Sequence, residues 1–150
     1  MFRFITFFGL LTTCLAAAAA DPTKEEKLER EKLIGHWFVI RYEKNGGVKF
    51  SDKDDRSYKF TITEDKIIVK TSNQVRFSYV LDVKSSPKRI DLTCLEEGKS
   101  KGTILYGIYS LDGDTLKICD NYKGEKSRPD DFVTKRLDGR TLMVLKREKK

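Results

Sequence analysis

Histidine and tryptophan each occur once in this 150-residue chain, methionine twice, and cysteine and proline three times each. The single histidine, His36, leaves no spacing from which a His-based metal site or a catalytic His with its nucleophile can be read. As the neighbour of Trp37 on a strand, it is expected to point outward. No oxygen-rich calcium loop surrounds the acidic pairs Asp54-Asp55, Glu96-Glu97 and Asp130-Asp131. Adjacency also does not set two carboxylates across a glycosidic bond, so the pairs read as loop solubility. No catalytic residue, metal or cofactor is assigned, and the chain is read as a non-enzyme. There is no internal repeat, and no low-complexity segment after residue 20. No apolar run reaches the roughly 20 residues of a membrane span.

What is present begins with an export signal. Arg3 supplies a positive start, residues 4–15 are apolar, and Ala18-Ala19-Ala20 has the form of a signal-peptidase site. Residues 1–20 are therefore expected to be removed, leaving one domain over 21–150 in the periplasm or outside the cell. Leu11-Thr12-Thr13-Cys14 loosely resembles a bacterial lipobox. A threonine directly before the cysteine is unusual there, so lipidation of Cys14 is the less favoured reading.

The net charge is +7. From Lys135 onward, seven basic residues stand against two acidic ones, so most of the excess lies at the C-terminus. That end reads first as a solvated tail, and alternatively as a contact for an anionic surface such as lipid headgroups. No nucleic acid is expected as a partner, and the chain is taken as a monomer.

Residues 21–34 carry the helical signals. Thr23-Lys24-Glu25-Glu26 fits a capping box, Leu28, Leu33 and Ile34 form a thin apolar stripe, and Gly35 ends it. From His36 the apolar period becomes two. Strands are predicted over 36–42, 58–63, 66–71, 75–83, 90–95, 103–119 as a hairpin, 132–136 and 141–147. Asn45-Gly46-Gly47 reads as a flexible turn followed by a charged loop over 51–56. Asp112-Gly113 is the strongest hairpin signal, read as a type I′ turn. About eight or nine short strands joined by short connections favour an up-and-down meander, and a meander with one apolar face must close to hide its edges.

Strand parity also decides the cysteines. Cys94 shares a face with Ile90 and Leu92, while Cys119 lies opposite Leu116 and Ile118. With both apolar faces inward, the sulfurs fall on opposite sides of the sheet, so two free thiols are expected.

Leu33-Ile34-Gly35-His36-Trp37 is similar to the signature that opens the first strand of lipocalins. With 86–93, 107–119, Arg128-Pro129-Asp130-Asp131-Phe132 and 142–147, the chain resembles a lipocalin-like family of exported proteins without an established activity, mostly known from planctomycete bacteria. The resemblance implies an all-β, calycin-type antiparallel barrel with one short N-terminal helix. It also implies that Trp37 closes the barrel floor and that Arg147, from the last strand, packs over it. That pair is structural.

The interior candidates for lining a ligand-binding lumen are Tyr58, Phe60, Phe77, Tyr79, Ile90, Leu92, Leu116 and Ile118. An eight-stranded barrel either fills with side chains or holds one small ligand. The functional expectation is a lumen that binds a small apolar or amphipathic molecule. The alternative is a filled barrel acting as an envelope or extracellular interaction module through its basic C-terminal end.

Overall fold

The computed structural model describes residues 22–50, 58–123 and 127–149. One helix, α1 (Lys24–Leu33), precedes nine strands: β1 (Gly35–Lys44), β2 (Gly47–Phe50), β3 (Lys59–Ile62), β4 (Lys66–Lys70), β5 (Gln74–Asp82), β6 (Lys88–Cys94), β7 (Ile104–Asp112), β8 (Thr115–Asn121) and β9 (Arg140–Arg147). All neighbours pair antiparallel in the order β2-β1-β3-β4-β5-β6-β7-β8-β9, and β1 pairs with β9 to close the ring. The fold is thus an all-β up-and-down barrel of eight strands, with β2 as an extra ninth. The N-terminal segment 1–20, its Cys14, and the loop 51–56 with Asp54-Asp55 lie outside the described residues.

β1 is the seam. One edge runs along β9 from Trp37↔Arg147 to Lys44↔Thr141. Its other edge pairs with β3 in the lower half, through Trp37↔Phe60, and with β2 in the upper half, through Lys44↔Gly47. The β1–β2 turn is Asn45-Gly46, with φ of 52° and 77°. Positive φ at both central positions marks a type I′ hairpin. The stretch read as a flexible turn is therefore a structured one, and it adds a strand the sequence reading did not assign.

Opposite β9, Val39 pairs with Leu145 and Arg41 with Val144, so Ile40 is an extra residue in a β-bulge. The bulge reverses the parity of β1. Trp37 and Val39 face the core below it, and Tyr42 joins that core above it.

The β7–β8 hairpin lies one residue later than expected. Asp112 pairs with Thr115, so the central residues are Gly113 and Asp114. Only Gly113 has positive φ, at 53°. Glycine first followed by a residue of ordinary φ is the type II′ pattern, not the type I′ expected. The strand predicted over 132–136 is also absent. Phe132 instead packs on the outside of the barrel against Ile108, Cys119 and Leu142. Arg128 fastens the same loop by donating to the Gly107 carbonyl at 2.7 Å and ion-pairing with Asp91 at 2.6 Å.

α1 starts at Thr23, whose hydroxyl accepts from the Glu26 amide at 3.2 Å. The reciprocal half of the capping box is not made, because Glu26 binds Arg30 at 2.9 Å instead. The buried face of the helix is Glu29 and Leu33, whereas Leu28 and Ile34 are exposed. Helix and barrel meet at the end that carries the turn after β3, the β7–β8 turn and the end of β9. Above α1 the core is filled by Leu33, Trp37, Ile62, Ile67, Leu81, Ile90, Leu116, Ile118 and Leu145, all at most 5% exposed. Each such side chain contributes about 1.5–3 kcal/mol by leaving water.

Candidate ligand site

Inward-facing positions can be followed up each strand from the packed floor. On β8 they are Leu116, Ile118 and Asp120; on β9, Leu145, Met143 and Thr141. On β4 and β5, Val69 pairs with Val75 above the Ile67↔Phe77 pair. Above Ile118 and Leu145 the side chains stop filling the lumen. A cavity of about 240 Å³ lies there, lined by Tyr42, Tyr58, Phe60, Val69, Thr71, Val75, Phe77, Leu92, Leu105, Asp120, Tyr122, Thr141 and Met143. The barrel is therefore both things the sequence left open, packed in its lower half and hollow in its upper half.

Of the eight lumen candidates, Tyr58, Phe60, Phe77 and Leu92 line this cavity. Ile90, Leu116 and Ile118 belong to the packed lower half. Tyr79 belongs to the closed end. Its hydroxyl donates to the Thr63 carbonyl at 2.7 Å, and the Arg30 guanidinium lies 4.4 Å from its ring centroid. The most consequential residue the sequence reading missed is Asp120. It continues the Leu116, Ile118 alternation by one more step, beyond the point where that strand was taken to end.

Asp120 is the polar centre of the cavity. It is 3% exposed and accepts a hydrogen bond from the Thr141 hydroxyl at 2.7 Å. Burial disfavours its ionised form and raises its pKa to about 6, against the opposing effect of Thr141. Its charge in turn helps raise the pKa of Tyr42 and Tyr58, after their own burial, with Tyr58 reaching about 12. Both phenols are neutral at physiological pH. Tyr42 and Tyr58 meet edge to face with centroids 6.0 Å apart, and Tyr58 and Phe60 are 5.9 Å apart, so one side of the cavity is an aromatic wall.

The floor pair is in place at the other end. The Arg147 guanidinium carbon is 4.1 Å from the Trp37 ring centroid, and Trp37 donates from Nε1 to the Leu33 carbonyl at 2.9 Å. Arg147 also donates to the Ile34 carbonyl at 2.9 Å, so it holds the end of α1 to the barrel. Beside it, buried Glu29 takes Lys88 at 2.5 Å and Lys32 at 3.4 Å. Burial pushes the pKa of Glu29 up, but the two ammonium groups outweigh it and the net shift is downward.

A larger cleft of about 590 Å³ lies where α1 meets the turn after β3, lined by Lys27, Arg30, Glu64, Asp65 and Tyr79 among others. Its charges largely satisfy one another: Arg30 binds Glu26 and the Glu64 carbonyl, and Lys66 binds Asp65. The lumen cavity is smaller but more apolar, and it holds a buried carboxyl that no cation among the described residues pairs with, so it is the stronger candidate.

The remaining sequence candidates have structural partners. His36 is exposed, with Nδ1 3.1 Å from the Thr61 hydroxyl. Asp130 and Asp131 each lie 3.1 Å from Arg140, and Glu96 binds Arg76 at 3.0 Å. Arg140 and Arg147 are thus tied into the fold, which leaves less of the C-terminal charge free for a surface contact. Cys94 and Cys119 are unbridged and buried, with Cys119 on the outer face beneath the loop. Among the described residues no cluster of metal-ligating side chains occurs, and no helix is long and apolar enough to cross a membrane. Compared with family models, curated proteins and solved structures, the chain finds no match.

Proposed function

We propose that this chain is an exported lipocalin-like barrel that holds one small apolar or amphipathic molecule in its upper lumen. It acts as a binder and not as an enzyme. The observation that carries the reading is the division of the lumen. Tightly packed Leu116, Ile118 and Leu145 give way to a cavity of about 240 Å³ walled by Tyr58, Phe60, Phe77 and Leu92. Ligand pockets combine such apolar walls with a few polar groups that fix orientation, and here those are Asp120, Thr141 and two tyrosines. The volume lies just below the roughly 300–1,000 Å³ typical for drug-sized ligands, so the occupant is small. Among the described residues no third side chain orients the Asp120–Thr141 pair, which favours binding over catalysis. Membership of the lipocalin-like family and export by residues 1–20 are part of the same proposal.

Native mass spectrometry on protein secreted by its own host tests the reading. The expected spectrum shows a chain beginning at or near Asp21 that carries a small molecule released on denaturation. A chain that is ligand-free from its host and takes up no small apolar compound contradicts it.

A further inference from the structure

Asp120 is costly where it stands. It is 3% exposed, one hydrogen bond from Thr141 is its partner, and among the described residues no cation pairs with it. An ionised carboxylate offers about four acceptor sites, and among the described residues Thr141 fills one of them. Lys44 stands beside Thr141 in the register, but its ammonium rests 3.9 Å from the Tyr122 ring centroid. Across the neighbouring strand Asp120 faces Gly107, where a Cβ would come within 3.2 Å of the Asp120 Cβ and 2.9 Å of the Cys119 carbonyl. The missing Cβ at Gly107 thus leaves room for the Asp120 side chain.

The surroundings decide which ligand would offset that cost. An anion is repelled by the carboxylate. A neutral molecule leaves its charge uncompensated. An ammonium group satisfies it with a charge-assisted hydrogen bond and also gains from the aromatic wall of Tyr42, Tyr58 and Phe60.

We infer that the lumen selects a small amphipathic cation, a protonated amine on an apolar body, with the ammonium on Asp120 and the body against Phe60, Phe77 and Leu92. This rests on the upper lumen being a ligand site, and it names the chemistry of the ligand.

Calorimetric titration of the full mature chain with three matched probes tests it: phenethylamine, 2-phenylethanol and 3-phenylpropionate. At about pH 7.5 the amine should bind at least about tenfold tighter than the alcohol, and the carboxylate should bind most weakly. Asp120→Asn keeps an acceptor for Thr141. It should bring the amine down to the level of the alcohol measured on the same variant. A comparison free of any variant is the wild type at about pH 5, where Asp120 gains its proton. Tyr42 and Tyr58 stay neutral there, so the preference for the amine should shrink. Equal binding of amine and alcohol overturns the inference and leaves the lumen reading standing. Failure of both to bind overturns the two together.

Discussion

Arg147 lies over the single tryptophan of the chain, its guanidinium carbon 4.1 Å from the Trp37 ring centroid across the seam where the last strand meets the first. The closure of the barrel and the docking of the helix share this contact, because the same guanidinium donates to the Ile34 carbonyl. Arg147→Ala removes the cation–π contact, the stem's packing and that tie. It should cost about 1–3 kcal/mol in urea unfolding. Ligand affinity should be unchanged, since the pair is at the floor and the cavity is above it. A variant as stable as the wild type contradicts the structural role.

Asp120 links the cavity to pH. Its native pKa of about 6 lies above the roughly 3.9 of an unfolded aspartate. Between the two values the native state binds more protons than the unfolded state, so this group's contribution to stability falls as pH rises from about 4 to about 6, then levels off. The full effect is about 3 kcal/mol. Asp120→Asn should match the wild type near pH 4 and exceed its stability by up to that amount at neutral pH, measured by thermal or urea unfolding. Asp65, Asp82, Glu96 and Asp130, whose pKa values are lowered, act in the opposite direction but cancel in the difference between the two proteins. A difference that does not change with pH contradicts the burial account.

The thiols should be silent in the folded protein. Burial pushes the Cys119 thiol up to about 12, and Phe132 packs against the cluster that holds it; Cys94 is 7% exposed. A thiol reagent should label neither residue in the native state and both after denaturation without reductant. An unlabelled denatured chain with a mass two hydrogens low contradicts this.

Much of the fold was legible because the strands obey a period of two. Val75, Phe77, Tyr79 and Leu81 alternate without interruption, and β5 contains all four. The opposed faces of Cys94 and Cys119 followed from the same rule. The failures are local and physical. Ile40 adds one residue to β1, and no sequence pattern announces a bulge, so the inward position of Tyr42 was hidden. Phe132 is apolar because a loop uses it to cover the outer face, and periodicity cannot distinguish that from a strand. Asp120 was passed over because a charged residue looked like the end of a strand, although the alternation from Leu116 pointed to it. The cavity depends on where side chains stop meeting across the barrel, which no single strand encodes.

The most direct test of the lumen as the ligand site is amide chemical-shift mapping of the protein titrated with 2-phenylethanol, a neutral probe that carries no charge for Asp120. The account predicts that the largest shifts fall on Tyr58, Phe60, Val69, Phe77, Leu92, Leu105 and Met143, which line the upper cavity. Shifts centred on Lys27, Arg30 and Tyr79 at the helix cleft, or none at all, would contradict it.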